Sequence, residues 1–226
     1  MNSLIFGVML TVIVYNISLY INKKTNLAIL NPIALSMIFI IAILKVFDIS
    51  YDEYNEGAKI ISFFVGPATL ALVIPLYKNI NLLKKNFIPI ILGIVVGSLV
   101  GLISTILLSK LLNVDQVLLF SLLPKSTTST IAADISKNIG GESSITLVFV
   151  TVVGVFGNIF APKILELLNI KSDVAKGISI GTASHVVGTA KAVELSEEIG
   201  AMSSLAITVA GIITVFLIPI VLYFFF

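Results

Sequence analysis

Two short polar stretches hold most of the side chains that could do chemistry in an otherwise apolar chain. The first is Leu123-Pro124-Lys125-Ser126-Thr127-Thr128-Ser129-Thr130, and the second runs from Gly181 through Thr182, Ser184, His185, Gly188 and Thr189 to Lys191. Both combine a lysine, hydroxyls and helix-breaking residues. That combination suits a small anion. Lysine supplies charge, hydroxyls donate, and helix ends exposed by an interruption present free N–H groups with a partial positive charge. Pro124, Lys125, Ser126, Thr127 and Thr128 are the candidates on one side, and Gly181, Thr182, Ser184, His185, Thr189 and Lys191 those on the other. Asp134 follows Thr127 by about two helical turns, as a partner for Lys125 or a proton acceptor. His185 is the only histidine. If it couples to protons, binding should vary with pH near its unperturbed pKa of about 6.5.

Other chemistry finds no support. Ser184 and His185 resemble a nucleophile and base, but neighbours on a helix point about 100° apart, and no carboxylate is placed to orient the imidazole. With one histidine and no cysteine, neither a catalytic metal site nor a disulfide framework is expected. The chain contains lysine but no arginine, so no bidentate guanidinium fork is present. The lysines form no basic aromatic face for nucleic acid. No enzyme and no bound cofactor are expected; coupling to H+ or Na+ is compatible with the residues. Plainer roles stand beside these. The hydroxyls could bond back to their own carbonyls or join helices, Lys191 could pair with Glu194, and His185 could bond a neighbouring helix.

The positioning elements are membrane-like. Apolar residues make up 58% of the 226-residue chain, charged residues 12%, and the mean hydropathy is +1.12. Globular domains are nearer a quarter charged. About eight hydrophobic segments emerge, at residues 3–21, 31–47, 57–77, 87–112, 117–138, 143–168, 174–195 and 201–226. Three contain interruptions: Gly66-Pro67 in the third, with Thr69 just beyond, Pro124 in the fifth, and Gly181 with Gly188 in the seventh. Irregular backbone at membrane depth is tolerated only against protein or a watery cavity. The fold expected is therefore an all-α, polytopic integral membrane protein with three interrupted or re-entrant segments. It forms one membrane domain over 1–226, with a scaffold-like half at 1–112 and a half at 115–226 carrying both polar stretches.

Gly93, Gly97 and Gly101 recur every four residues, a stripe that admits close helix approach and suggests a homodimer face. Lysines put 23–24 and 78–85 in the cytoplasm and the acidic 48–56 loop outside, with an extracytoplasmic N-terminus. Lys163, Lys171 and Lys176 then fall outside if every segment crosses; one re-entrant segment removes the conflict. Gly66-Pro67-Ala68-Thr69 faintly echoes Gly181-Thr182-Ala183-Ser184, as in inverted-repeat transporters. The first span lacks a basic n-region and a small-x-small cleavage site, and is expected to be retained.

The strings Leu122-Leu123-Pro124-Lys125-Ser126-Thr127-Thr128, Ile139-Gly140-Gly141, Gly181-Thr182-Ala183-Ser184-His185 and Gly188-Thr189-Ala190, with Gly66-Pro67-Ala68-Thr69 and Pro75-Leu76-Tyr77 upstream, resemble the LrgB/CidB family of bacterial membrane proteins. The resemblance covers nearly the whole chain. It implies two functional descriptions: holin- or antiholin-like regulation of murein hydrolase export and autolysis with a small LrgA/CidA-type membrane partner, or carriage of small monocarboxylates such as pyruvate, glycolate or glycerate. Asn158 after Gly157 departs from the small residue or proline expected there. The interrupted segments favour a carrier in the bacterial cell membrane, with both polar stretches facing each other near the midplane.

Overall fold

The computed structural model describes residues 3–25, 27, 30–64, 67, 73–78 and 80–226, and every regular element among them is helical. The chain divides into two compact units, 1–71 and 72–226. The division falls near 71 rather than at the 112–115 boundary between the expected halves, because the helix over 87–111 packs on helices of the C-terminal half.

In the first unit, α1 (Ser3–Thr25) packs on α2 (Pro32–Val46) and α3 (Tyr51–Phe63). Pro32 opens α2 behind Asn31, whose side chain accepts from Ile33 N at 2.9 Å. The acidic 48–56 stretch is not a loop throughout. Ser50 caps α3 by accepting from Glu53 N at 3.2 Å, and Asp52 and Glu53 occupy its first turn, where carboxylates favour the helix dipole. The span expected over 57–77 is likewise corrected: its helix starts at Tyr51 and stops at Phe63. Gly66 and Thr69 lie outside the described residues, while Pro67 is described and exposed. Gly7 and Gly57 let α1 and α3 meet backbone to backbone, and Thr11 Oγ1 lies 2.8 Å from Tyr54 Oη.

The second unit contains α4 (Val73–Lys78), α5 (Ile80–Lys85), α6 (Phe87–Leu111), α7 (Gln116–Leu122), α8 (Ser129–Ile139), α9 (Ser143–Leu167), α10 (Asp173–Leu195) and α11 (Glu197–Phe225). Polar caps cut the apolar sequence into pieces. Asp115, Ser172 and Ser196 accept from Leu118 N, Ala175 N and Ile199 N at the starts of α7, α10 and α11. Asn113, Asn169 and Gly140 take left-handed conformations at the ends of α6, α9 and α8. Beyond them Val114 N, Ile170 N and Gly141 N donate back to Ser109 O, Leu165 O and Ser136 O at 2.8–2.9 Å, closing each helix.

Among the described residues, four helices are long and apolar enough to cross a membrane: Leu4–Thr25, Phe87–Leu111, Ser143–Leu167 and Glu197–Phe225. That is fewer than the eight segments expected. The helix α2 has only 15 residues, α3 carries acids, α7 and α8 are short, and α10 is not straight.

The path of α10 follows from its neighbours. Gly177 lies against Ile199 and Met202 of α11, and Gly181 against Ser203 and Ala206, so the two helices begin parallel. Later, Thr189 Oγ1 sits 2.6 Å from Ser203 Oγ, and Val193 adjoins Gly200. The partner numbers fall where they had risen. The chain therefore doubles back, and the reversal is at His185, with φ 43° and ψ −141°. Both ends of α10 meet the end of α9, as Leu165, Ile180, Ala192 and Ile199 form one cluster. Near the other end of α9, Ser121 Oγ accepts from Glu142 N at 2.8 Å, so the chain that leaves through α7 returns after α8 to the same place. Leu119, Leu123 and Ile135 of this second excursion pack on Leu102 and Ile106 of α6 and Ile218 and Val221 of α11. Lys110 Nζ donates to Phe225 O at 2.9 Å at this end, and Lys78 pairs with Glu197 at 3.0 Å at the opposite one.

A Cβ at Gly177 would lie 2.5 Å from Ile199 O and 2.7 Å from Met202 Cβ, whereas one at Gly93 would find nothing nearer than 3.8 Å. Gly177→Val should therefore cost about 1–3 kcal/mol through overpacking, and Gly93→Ala should be neutral by comparison. Thermal unfolding of the detergent-purified variants checks this ordering.

Candidate anion-binding site

A cavity of about 710 Å³ lies in the second unit between α6, the first arm of α10 and the turn joining α7 to α8. Backbone bonds from Lys125 N to Leu122 O and from Thr127 N to Pro124 O hold that turn. Thr127 Oγ1 also donates to Pro124 O at 2.9 Å. The turn thereby presents Lys125, Ser126 and Thr127 to the cavity, with Pro124 fully buried behind them. From α10 come Ile178, Ser179, Thr182 and Ala183; from α6 come the glycine stripe, Ser98 and Ser104.

Lys125 is the one charged residue among the described residues of the wall. Its Nζ donates to Thr105 Oγ1, and no ion pair among the described residues includes it. The Thr105 hydroxyl donates its own proton to Gly101 O at 2.7 Å, so toward the ammonium it acts only as acceptor. Two ammonium N–H donors are thus left for an occupant. Thr182 is 9% exposed, and its hydroxyl has no hydrogen-bond partner among the described residues. An unpaired buried hydroxyl costs about 1–3 kcal/mol.

Of the residues singled out in the sequence, Lys125, Ser126, Thr127 and Thr182 therefore share one wall. Thr128 is the N-cap residue of α8 but makes no side-chain capping bond, and it lies outside the wall. Gly181 faces α11. Ser184 is turned toward Gly157 of α9, and His185 Nε2 lies 2.8 Å from Val150 O, so the two do not form a nucleophile and base. Thr189 donates to His185 O at 2.8 Å behind the reversal. Lys191 pairs with Glu194 at 2.8 Å, away from the cavity. Asp134 is exposed and does not pair with Lys125. Asn158 Nδ2 donates to Val187 O at 2.9 Å, steadying the second arm of α10.

Sequence reasoning passed over Ser98, Ser104, Thr105 and Ser179. A signal for Thr105 was present, since it continues the four-residue period of Gly93, Gly97 and Gly101. That stripe was expected to pair two copies of the chain. Within one chain it faces the cavity and α10: a Cβ at Gly97 would lie 3.3 Å from the Thr182 methyl, and one at Gly101 would meet nothing within 4 Å.

Comparison with known proteins is consistent across the chain. A family model described as the LrgB-like family matches residues 11–224. An "Uncharacterized protein YxaC" from Bacillus subtilis is 38% identical over 218 residues, covering 96% of this chain and 95% of that one. An "Antiholin-like protein LrgB" from Bacillus cereus strain B4264 is 37% identical over 220 residues, covering 97% and 96%. No solved structure matches.

The absence of cysteine makes the cavity easy to probe. Ser179→Cys, exposed on the wall, should react readily with a hydrophilic thiol reagent, whereas Ser203→Cys, 0% exposed, should resist it in the folded protein. Labelling rates in vesicles, followed by mass shift, check the difference.

Proposed function

Because the chain belongs to the LrgB-like family, we propose that it is a multi-pass protein of the bacterial cell membrane that carries small monocarboxylates, pyruvate, glycolate or similar, through the Lys125 cavity. One observation carries this reading: a lysine with no carboxylate partner among the described residues faces a cavity otherwise lined by neutral polar and apolar groups. Ionisable groups at membrane depth are expensive, and an unpaired ammonium is compensated when an anion binds beside it. Ser126, on the same turn, is the further hydroxyl donor for a carboxylate.

The paths of α7–α8 and α10 support a transporter architecture. Each leaves one end of the unit and returns to it, and the two enter from opposite ends, as re-entrant segments flanking a central site would. The second polar stretch contributes through its first arm, while its tip at His185 is packed on α9. A re-entrant α10 also reconciles the charges. Lys84, Lys85, Lys163, Lys171 and Lys176 then share one end, which the positive-inside rule assigns to the cytoplasm. Asn86, Ser172, Val174 and Ala175 line the cavity toward that end, which supports a cytoplasmic mouth.

A second reading rests on the printed name of the relatives: an antiholin-like regulator of murein hydrolase export acting with a small LrgA/CidA-type membrane partner. A lesion-forming or purely regulatory protein has no need of a lone lysine in a cavity, so the carrier reading is preferred.

Proteoliposomes of the purified protein, loaded with dye, decide between them. Saturable uptake of a labelled monocarboxylate with the dye retained supports the carrier; unselective dye release supports a pore. Lys125→Ala should lower uptake at least about a hundredfold, as loss of a charged, desolvated ligand contact does. Uptake unchanged in that variant sinks the anion-site assignment.

A further inference from the structure

We infer that the glycine face of α6 gauges the substrate, and that the cavity takes a monocarboxylate with an apolar body, its carboxylate on Lys125 and its body along Gly97 and Gly101. The inference rests on the carrier reading and deepens it. A two- or three-carbon acid leaves most of a cavity of about 710 Å³ unfilled. The volume is also chemically uneven. Lys125 puts the one charge at one place, whereas the wall beyond it is largely apolar, with Pro89, Ile90, Val153, Val174 and Ile178 among scattered neutral polar residues such as Ser98 and Ser179. One cation at one place and apolar surface beyond it describe an amphipathic monoanion.

Gly101 sits where such a body must pass. Its carbonyl accepts from both Thr105 at 2.7 Å and Ser104 at 3.1 Å, and Thr105 in turn accepts from the Lys125 ammonium. Gly101 is thus one helical turn from the residue that holds the cation. A Cβ placed there meets no atom within 4 Å, so a side chain would enter the cavity rather than strain the fold. At Gly97, one turn earlier, an added Cβ would crowd the Thr182 methyl at 3.3 Å. Lys125 supplies an independent sign of an occupant, because its ammonium faces the cavity and belongs to no ion pair among the described residues. The absent side chains of α6 therefore create substrate space as well as helix contact.

The test uses the full chain in proteoliposomes with labelled acetate, butyrate and hexanoate, dye retention being monitored throughout. Wild type should take up all three acids. Gly101→Leu should lower hexanoate uptake relative to acetate by about tenfold, the scale on which a filled apolar pocket rejects an extra methylene or two. Gly101→Ala should move the ratio in the same direction by less, and it carries the test if the leucine variant does not fold. Val100→Leu, on the exposed side of the same helix, adds bulk outside the cavity and should leave the ratio unchanged. A hexanoate-to-acetate ratio unmoved by either Gly101 variant overturns the gauge but leaves the carrier intact. Wild-type vesicles that hold dye and accumulate none of the acids overturn both.

Discussion

Backbone-to-backbone approach is the condition on which the second unit depends. The chain reverses inside an apolar bundle at His185, a non-glycine residue in a left-handed conformation. Such a conformation persists only where its surroundings enforce it. Here the surroundings are largely missing side chains. A Cβ at Gly154 would strike the imidazole, one at Gly157 would overlap Ser184, and one at Gly188 would crowd Ser184 and Ile180. Gly177 and Gly181 let the first arm lie directly on α11. Helices in lipid gain little from hydrophobic association, so close packing and interhelical hydrogen bonds must hold them. Val150 O to His185, Asn158 to Val187 O and Thr189 to Ser203 supply such bonds around the reversal.

The cavity follows from that geometry. With α10 folded back, its first arm stands against α6, and the turn at Lys125 meets both from the other end of the unit. The site draws on three elements far apart in sequence, joined by small-residue contacts. The hydrogen bonds around it are ordered too: Lys125 donates to Thr105, and Thr105 donates to Gly101 O. The Thr105 proton has one destination, which fixes how that hydroxyl meets the ammonium.

Much of this was readable from residues, though unevenly. Both polar stretches announced themselves because lysine, histidine and clustered hydroxyls are costly in apolar sequence. The ends of α6 and α9 were foreshadowed by Asn113 and Asn169, a residue type that tolerates the left-handed conformation. The Lys191–Glu194 pair could be read from an i, i+3 spacing, and it leaves Lys191 outside the cavity. The pairing of Gly177 with Ile199 and of Val193 with Gly200 could not be read so directly. Small residues report that something comes close, not what does. For that reason the second polar stretch was expected to present His185 and Ser184 to the site, whereas tertiary packing turns both toward α9 and leaves Thr182 on the wall. The α6 stripe likewise did not disclose that α10 and the cavity lie against it within one chain.

Among the described residues the cavity wall holds one cation and no acid, which sets its electrical balance. On the carrier reading, the unloaded site has one net positive charge and the site loaded with a monoanion has none. Moving one elementary charge through the membrane field is worth about 2.3 kcal/mol per 100 mV. Voltage then acts on the return of the empty site and not on the crossing of the loaded one. On that reading, the membrane potential falls to one half of the transport cycle.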